Sequence, residues 1–192
     1  MLTKNLIIEL AGASMTFLSV IYAVKERWIT WIWAILSALF YAVIYWSAGL
    51  IVSAEIQLLY FGIAVVGLAR WRKSPAVQQP KEIIKKGTPL LWMYTFLAIS
   101  LLSLLLFWIN SSIESGDLIL YDALLVSSAI VAQALMVKKY LSCWYLWIFV
   151  NIGYLPLFFY QKLWVSLVLY VILFYFTWKG FKEWHRKYQF TT

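Results

Sequence analysis

The chain has 192 residues, of which 64% are hydrophobic and 12% are charged, and its formal net charge is +8. An average soluble protein contains roughly 45–50% apolar and about 25% charged residues. A single water-soluble core of this size could not hide so many apolar side chains, so the composition excludes a soluble globular domain, a disordered tail and a fibrous repeat.

Seven apolar runs separated by short polar breaks follow one another along the chain. A helix that spans a membrane needs about 20 residues. The runs cover residues 6–24, 29–48, 50–71, 89–109, 118–137, 142–160 and 163–181. The first run contains Glu9 and is followed at once by another span, which argues against a cleaved signal peptide. The runs also lack the alternating polar positions of an outer-membrane barrel. They predict an all-α membrane protein with seven transmembrane helices.

The basic residues segregate to one side of this arrangement. Loops between seven spans alternate between the two sides, and 14 of the 16 Lys and Arg residues then share one side, while Lys4 and Lys162 lie on the other. Cytoplasmic loops are enriched in Lys and Arg. The sequence therefore predicts an external N-terminus and a cytoplasmic C-terminus, and the positive charge reflects membrane topology rather than binding of nucleic acid.

An internal repeat relates the two ends of the chain. Trp33-x-x-x-Ser37 matches Trp147-x-x-x-Asn151 at an offset of 114. At an offset of 113, Leu50, Gly67 and Trp71 match Leu163, Gly180 and Trp184. Two three-helix units joined by one span enter the membrane from the same side, so the repeats are parallel and the order is 3+1+3.

This repeat predicts five segments along the chain. They are a first three-helix repeat (1–71), a basic cytoplasmic linker that is solvated (72–88), a linking transmembrane helix with an outer loop (89–117), a second three-helix repeat (118–184) and a cytoplasmic tail (185–192). Very tight turns are expected at Gly49 and at Gln161–Lys162.

A substrate pocket is expected near the middle of the membrane. Polar side chains are costly in lipid and need either a partner or a purpose. Asn151 lies near the middle of the sixth span, and Trp147 precedes it by one turn on the same face. The residues expected to line the pocket are Trp147, Asn151, Gln57, Trp33, Ser37, Tyr60, Tyr41, Tyr154 and Tyr170. The alternative is that the Asn, Gln and Ser side chains only bond neighbouring helices.

Other polar and aromatic features have two interpretations each. Glu9, Glu55 and Asp122 lie near the outer face, where they either attract a cation or bridge helices. Gly153 with Pro156 predicts a kink that serves as a gate hinge or as a packing adjustment. A belt at the inner membrane boundary is expected from Trp28, Trp71, Trp144 and Trp184.

The sequence gives no support for an enzyme. It lacks HExxH, GxSxG, Walker A and paired Cys/His motifs. Cys143 is the one cysteine and has no visible base partner, and His185 is a single histidine in the polar tail. We therefore expect no catalytic residues, no metal and no cofactor.

Several of these segments resemble the Pnu family of bacterial vitamin transporters. They are Glu9-Leu10, Leu50 followed by Gln57, Tyr60, Gly67 and Trp71, Asp122-Ala123, Ala132-Gln133-Ala134-Leu135-Met136, Trp144-x-x-Trp147-Ile148-x-Val150-Asn151, and Gly180-Phe181-x-x-Trp184. The resemblance implies a fold similar to the SWEET proteins, in the bacterial inner membrane. It implies uptake of a vitamin down its gradient, with trapping by a cytoplasmic vitamin kinase. It assigns the substrate site to Trp147, Asn151 and Gln57, and it allows a homotrimer.

The sequence indicates the family more clearly than it indicates the branch within the family, and so the vitamin that is carried. The nicotinamide riboside branch usually has Asn where this chain has Ser37, and Tyr with Asp or Ser where this chain has Ile51-Val52-Ser53-Ala54-Glu55. We therefore expect facilitated diffusion of thiamine by alternating access, marginally ahead of nicotinamide riboside and then riboflavin or a deoxynucleoside. The hypothesis from another class is a membrane scaffold or sensor subunit whose basic inner face holds a soluble partner.

Overall fold

The computed structural model describes residues 2–47, 51–73, 84–112, 118–160 and 164–189, with side chains over 10–47, 53–72, 84–112, 118–160 and 167–189. The predicted tight turns, most of the basic linker and the side chain of Glu9 lie outside these ranges. The described residues form seven helices and no strand, in agreement with the predicted all-α fold. They are α1 (Leu2–Val24), α2 (Ile29–Ser47), α3 (Ile51–Lys73), α4 (Pro89–Ser111), α5 (Ile119–Val137), α6 (Ser142–Tyr160) and α7 (Trp164–Gln189).

The lengths and compositions of the helices suit a bilayer. Within the described residues, α2 to α6 are each long and apolar enough to cross a membrane, and 10–24 of α1 form a shorter apolar stretch. Large apolar side chains such as Val43, Trp46 and Trp108 are more than 60% exposed. Lipid tails are the solvent that tolerates such a surface.

Helix α7 extends beyond the predicted span. The apolar run was expected to end at Phe181, but the helix continues to Gln189. Its last two turns are polar, and Arg186 and Glu183 form an exposed ion pair at 2.8 Å. Hydropathy marks the length that lipid covers, whereas helix propensity is also high for Glu, Lys and Arg. The residues predicted as the start of a tail therefore extend the helix.

The chain divides into two compact units, Met1–Glu82 and Ile83–Thr192. In the first unit, α2 packs against both α1 and α3. In the second unit, each helix packs against the next, α4 on α5, α5 on α6 and α6 on α7. The linking helix α4 thus belongs to the same compact unit as the second three-helix set.

A tryptophan packed against a glycine joins the second and third helices of the first unit. The indole of Trp31 lies so close to Gly67 that a Cβ there would be 2.5 Å from its ring atoms. Trp71 meets the same indole edge-on, with ring centroids 5.3 Å apart. Trp31 and Trp71 are 1% and 5% exposed. The absent Cβ of Gly67 is therefore what lets α2 and α3 approach.

The second unit repeats this contact with Trp144, Gly180 and Trp184. The indole of Trp144 occupies the space that a Cβ on Gly180 would need, and it meets Trp184 edge-on at 5.4 Å. Each residue lies 113 positions after its counterpart, which supports the repeat. The belt predicted for Trp71, Trp144 and Trp184 is wrong, because these indoles are buried between helices. Trp28 is partly exposed and lies 5.8 Å from the guanidinium of Arg72.

This contact also sets which faces of α2 and α6 correspond. Trp31 and Trp144 are equivalent at an offset of 113. Helix α2 is continuous from Trp31 to Ser37, and α6 is continuous from Trp144 to Asn151, so the same offset holds along both helices. Asn151 is therefore equivalent to Ala38, and Val150 to Ser37. One residue rotates a side chain by about 100° around a helix. The match between Ser37 and Asn151 is a sequence similarity between different faces, and the prediction that they repeat one geometry is wrong.

The last residues of the basic linker are fixed to the second unit. Lys85 donates its backbone N–H to the carbonyl of Lys139 at 3.0 Å, and Leu141 donates to the carbonyl of Lys85 at 2.9 Å. Ile84 is 5% exposed, and Lys139 adopts a φ of 55° at the α5–α6 turn. The predicted solvated linker therefore ends in a short paired segment, because a buried isoleucine and two backbone bonds hold it.

Substitution at Gly67 tests the close contact between α2 and α3. Gly67→Ala forces the buried indole of Trp31 to move, and we expect the free energy of unfolding to fall by about 1–3 kcal/mol. Gly62→Ala, on the same helix, meets no atom within 4 Å and should be neutral or stabilising by about 0.5–1 kcal/mol. Thermal unfolding in detergent measures both, and equal midpoints for the two variants would contradict the packing.

Candidate functional site

One face of α6 carries three of the predicted pocket residues. Trp147, Asn151 and Tyr154 recur at a spacing of four and three, which places them along one side of the helix. Helix α7 packs against α6 in an antiparallel register. Contacts between the two helices run from Trp144 and Trp184 at one end, through Asn151 and Thr177, to Tyr154 and Tyr170 at the other.

Asn151 is the buried polar group at the middle of this interface. Its side chain is 4% exposed, and its Nδ2 donates a hydrogen bond to Oγ1 of Thr177 at 2.9 Å. Thr177 is 3% exposed. This bond agrees with the alternative interpretation, in which Asn151 bonds a neighbouring helix. It uses only one of the four hydrogen-bonding positions of the amide. The carbonyl Oδ1 can still serve a ligand.

Trp147 contributes a buried donor one turn before Asn151. Its Nε1 has no hydrogen-bond partner among the described residues, and the same holds for Trp31, Trp33 and Trp144. A buried unpaired donor costs about 1–3 kcal/mol. Trp31 and Trp144 are held by their glycine contacts, whereas Trp147 shares a face with Asn151. A ligand that offers a carbonyl to this indole removes the penalty there.

Tyr154 sits where α5, α6 and α7 meet. Its hydroxyl donates to Oδ1 of Asp122 at 3.2 Å, and its ring contacts Phe158 and Tyr170 at centroid distances of 5.4 and 5.2 Å. Nearby, Tyr121 donates to the carbonyl of Gly153 at 2.6 Å. Asp122 thus bridges two helices, which favours the structural interpretation of this carboxylate.

In the first unit, Ser37 and Tyr41, two of the residues predicted on α2, turn towards α1. The hydroxyl oxygens of Ser37 and Thr16 are 2.6 Å apart, and the Ser37 oxygen lies 3.4 Å from the carbonyl oxygen of Gly12. The ring of Tyr41 covers Gly12, where a Cβ would lie 3.1 Å from it, and it stacks on Tyr45 at 5.8 Å. Ser37 therefore serves the α1–α2 contact, as its structural alternative predicted.

Gln57 and Tyr60 lie on a different helix of that unit, α3. Both are half-buried. Gln57 precedes Ala64 by seven residues, so it shares the face that buries Ala64 and Trp71 towards α2. Glu55 is exposed. The structure places Trp147, Asn151 and Tyr154 on one face of α6, with the ring of Tyr170 against Tyr154. In the first unit, Ser37 and Tyr41 contact α1.

Sequence reasoning missed Thr177 and Thr16, which bond the polar residues it did select. A threonine in an apolar run is a weak signal, because its hydroxyl can bond the carbonyl of its own helix four residues earlier. Thr16 does this too, donating to Gly12 at 3.1 Å. Only the position of Thr177 opposite Asn151 shows that it has a second role.

The fold corresponds to that of a solved helical membrane protein. The chain superimposes with a TM-score of 0.73 and 24% identity on a structure titled "Crystal structure of the Vitamin B3 transporter PnuC", covering 95% of this chain and 82% of that one. This likeness establishes the fold.

The sequence comparisons identify the family. The sequence model of the family described as nicotinamide mononucleotide transporter matches residues 6–186. Two curated proteins named nicotinamide riboside transporter PnuC, from Escherichia coli K12 and Shigella flexneri, are each 21% identical over 92% of this chain and 84% of their own length. The chain belongs to this transporter family, and the resemblance seen in the sequence is confirmed.

These matches settle the broad class of the protein. It is a multi-pass membrane transporter, and its relatives are transporters rather than enzymes, in agreement with the sequence. The predicted preference for thiamine receives no support from them.

Removing the hydroxyl of Tyr154 tests the junction of α5 and α6. Tyr154→Phe deletes the bond to Asp122 while keeping the ring contacts, and we expect a loss of about 1–2 kcal/mol in the free energy of unfolding. Tyr175→Phe, on the exposed side of α7, should change it by less than about 0.5 kcal/mol. Thermal unfolding of both variants checks this, and an unaffected Tyr154→Phe protein would refute the bridge.

Proposed function

We propose that this chain takes up nicotinamide riboside across the bacterial inner membrane. The observation that carries the proposal is the face of α6 that holds Trp147 and Asn151, in a chain that belongs to this family. An indole supplies a flat stacking surface that also attracts cations. Its buried N–H and the Asn151 amide lie one turn apart. Nicotinamide riboside combines a flat cationic ring with a carboxamide and hydroxyls, which suits this set of groups.

The substrate proposal departs from the sequence expectation of thiamine. That expectation depended on two departures from the nicotinamide riboside branch, Ser37 in place of Asn and the stretch Ile51-Val52-Ser53-Ala54-Glu55. The structure bears on the first of them. Ser37 bonds Thr16 on α1 and is not equivalent to Asn151, so its identity says little about the pocket face of α6. The relatives carry the name nicotinamide riboside transporter. Both considerations support nicotinamide riboside over thiamine, riboflavin or a deoxynucleoside.

The proposed mechanism is facilitated diffusion with alternating access. Trp147 stacks on the heterocycle, and Asn151 bonds its polar substituents. The sequence places no pair of opposite charges in the expected middle of the spans, which disfavours proton coupling. Net uptake then depends on a cytoplasmic kinase that phosphorylates the vitamin and keeps the gradient inward.

The scaffold or sensor hypothesis predicts different properties. It requires a soluble partner on the basic face and no small-molecule site. Membership in a transporter family and a buried polar face on α6 both favour transport. A scaffold would purify with a partner protein and would leave the uptake of every vitamin unchanged.

Uptake by purified protein in liposomes tests the function. We expect saturable entry of nicotinamide riboside that is insensitive to a proton ionophore, and little entry of thiamine or riboflavin. Asn151→Leu removes the amide that bonds the substrate, so it should lower uptake at least tenfold while the protein remains folded and monodisperse.

Asn110→Leu provides the matched control. Asn110 lies near the end of α4, a helix that packs against α5, and its substitution should leave uptake unchanged. Entry of thiamine but not of nicotinamide riboside would replace the substrate proposal, and normal uptake by Asn151→Leu would refute the site.

We also propose that the basic side of the chain faces the cytoplasm. Cys143 is the one cysteine and is buried, so a Cys143→Ala background allows single reporter cysteines. An impermeant maleimide added to intact cells should label Ser112→Cys, which lies after α4, and should reach Lys138→Cys only after permeabilisation. The opposite pattern would invert the topology.

A further inference from the structure

A row of aromatic rings crosses the surface of the second unit near the basic ends of three helices. Trp92 on α4 lies 6.1 Å from Tyr145 on α6, and Tyr145 lies 4.9 Å from Phe181 on α7, measured between ring centroids. Phe96 extends the row on α4, 5.8 Å from Trp92, and Trp178 extends it on α7, 5.9 Å from Phe181. These five rings are called the inner aromatic row.

The inner aromatic row is open on its outer side. Phe96, Tyr145 and Trp178 are exposed, and Trp92 and Phe181 are half-buried. Aromatic side chains are common at the boundary of a membrane, so exposure of single rings would indicate only a belt. Rings that touch one another across three helices form a continuous flat surface, which can contact one molecule along its length.

A lysine lies at each end of the row. The linker segment that carries Lys85 passes the Trp92 end, because a Cβ on Gly87 would lie 3.1 Å from the indole Nε1 of Trp92. The backbone bonds of this segment to the α5–α6 turn hold it there. At the other end, Nζ of Lys182 lies 5.5 Å from the ring centroid of Trp178. Both lysines are exposed.

These two lysines face no carboxylate in the part of the second unit that the structure describes. Its acidic side chains are Asp122 and Glu183. Glu183 pairs with Arg186 at 2.8 Å, and Asp122 lies in the first turn of α5, at the end opposite the α5–α6 turn. Lys85 and Lys182 therefore give both ends of the row a positive charge that a negative group from outside the chain can neutralise.

The first unit does not repeat the row. At an offset of 113, the counterparts of its three members on α6 and α7 and of Lys182 are Ile32, Leu68, Val65 and Ala69. Both units share the packing of tryptophan on glycine, so that packing does not require aromatic or basic side chains at these positions. The aromatic and basic character of this surface is a property of the second unit alone.

We propose that the inner aromatic row, with the lysine at each end, binds anionic phospholipids at the basic side of the membrane. Indole and phenol rings at this depth contact the glycerol region and the first carbons of the acyl chains. Lysine ammonium groups near the membrane surface attract the lipid phosphate. This proposal goes beyond the transported vitamin and does not depend on which vitamin is carried.

A second copy of this chain fits the surface less well. The side of the chain that holds 14 basic residues has only three of the eight acidic ones, Glu26, Glu82 and Glu183. Another copy in the same membrane brings its own basic side to the same depth, where like charges repel. An anionic lipid brings the opposite charge together with an apolar body.

Titration of the purified full-length protein with defined lipids tests the proposal. In detergent, phosphatidylglycerol should raise the midpoint of thermal unfolding, whereas phosphatidylcholine with the same acyl chains and no net charge should not. Lys85→Gln combined with Lys182→Gln should weaken the apparent affinity for phosphatidylglycerol about tenfold, because each ammonium near the surface adds to binding of an anionic lipid. Native mass spectrometry should show less phosphatidylglycerol retained by this variant.

Lys25→Gln combined with Arg72→Gln is the matched control for charge. It removes two exposed positive charges from the same side of the first unit, and the guanidinium of Arg72 also lies against an aromatic ring, 5.8 Å from that of Trp28. This variant should bind phosphatidylglycerol as the wild type does. Equal losses in the two double variants would reveal a general attraction to basic loops and would overturn the proposal.

Substitution of the rings tests the other half of the surface. Tyr145→Ile combined with Phe181→Leu introduces the side chains that the first unit has at these positions, and it should lower the affinity about fivefold. Tyr94→Ile combined with Phe107→Leu removes two exposed aromatic side chains of α4 that lie outside the row. This control should leave the affinity unchanged.

Two further outcomes contradict the proposal. Equal stabilisation by phosphatidylcholine would mean that the row is a belt without selectivity for charge. Light scattering gives the mass of each variant in detergent. If the ring variant dissociates into smaller species and still binds phosphatidylglycerol normally, the row is a contact between copies of the chain and the lipid proposal is wrong.

Discussion

In each unit, one tryptophan indole lies against a glycine backbone, and the faces presented by its helix follow from that contact. Trp31 packs on Gly67 and Trp144 packs on Gly180. Lipid tails are as apolar as leucine, so association of helices in a membrane depends on close packing rather than on escape from water. A large flat ring against a residue without a Cβ gives an extended van der Waals contact. It fixes the rotation of the second helix against the third.

That rotation explains why the two units make different polar contacts although they repeat the same tryptophan–glycine packing. At the register set by the tryptophans, the position of Asn151 in α6 corresponds to Ala38 in α2. The second unit therefore holds an amide at its α6–α7 interface, where the first unit has a small apolar side chain. Ser37, one residue earlier, faces α1 and bonds Thr16. A single residue of offset thus separates a candidate ligand group from a structural hydrogen bond.

Hydrogen bonds between helices satisfy the buried polar side chains of both units. A polar side chain within lipid needs a partner, and threonine supplies it for both Asn151 and Ser37. A hydroxyl satisfies one position of an amide and leaves the others for a ligand. The bond to Thr177 therefore lowers the cost of burying Asn151 between α6 and α7.

The sequence by itself determined the class of fold, the seven helices and the membrane setting, because hydropathy over twenty residues depends on composition and not on neighbours. It also indicated the family and drew attention to Trp147 and Asn151. Only the tertiary structure decided the rotation of each helix, the burial of tryptophans expected at the membrane boundary, and the pairing of Asn151 with Thr177. These depend on which side chain stands opposite, and residues far apart in the chain determine that.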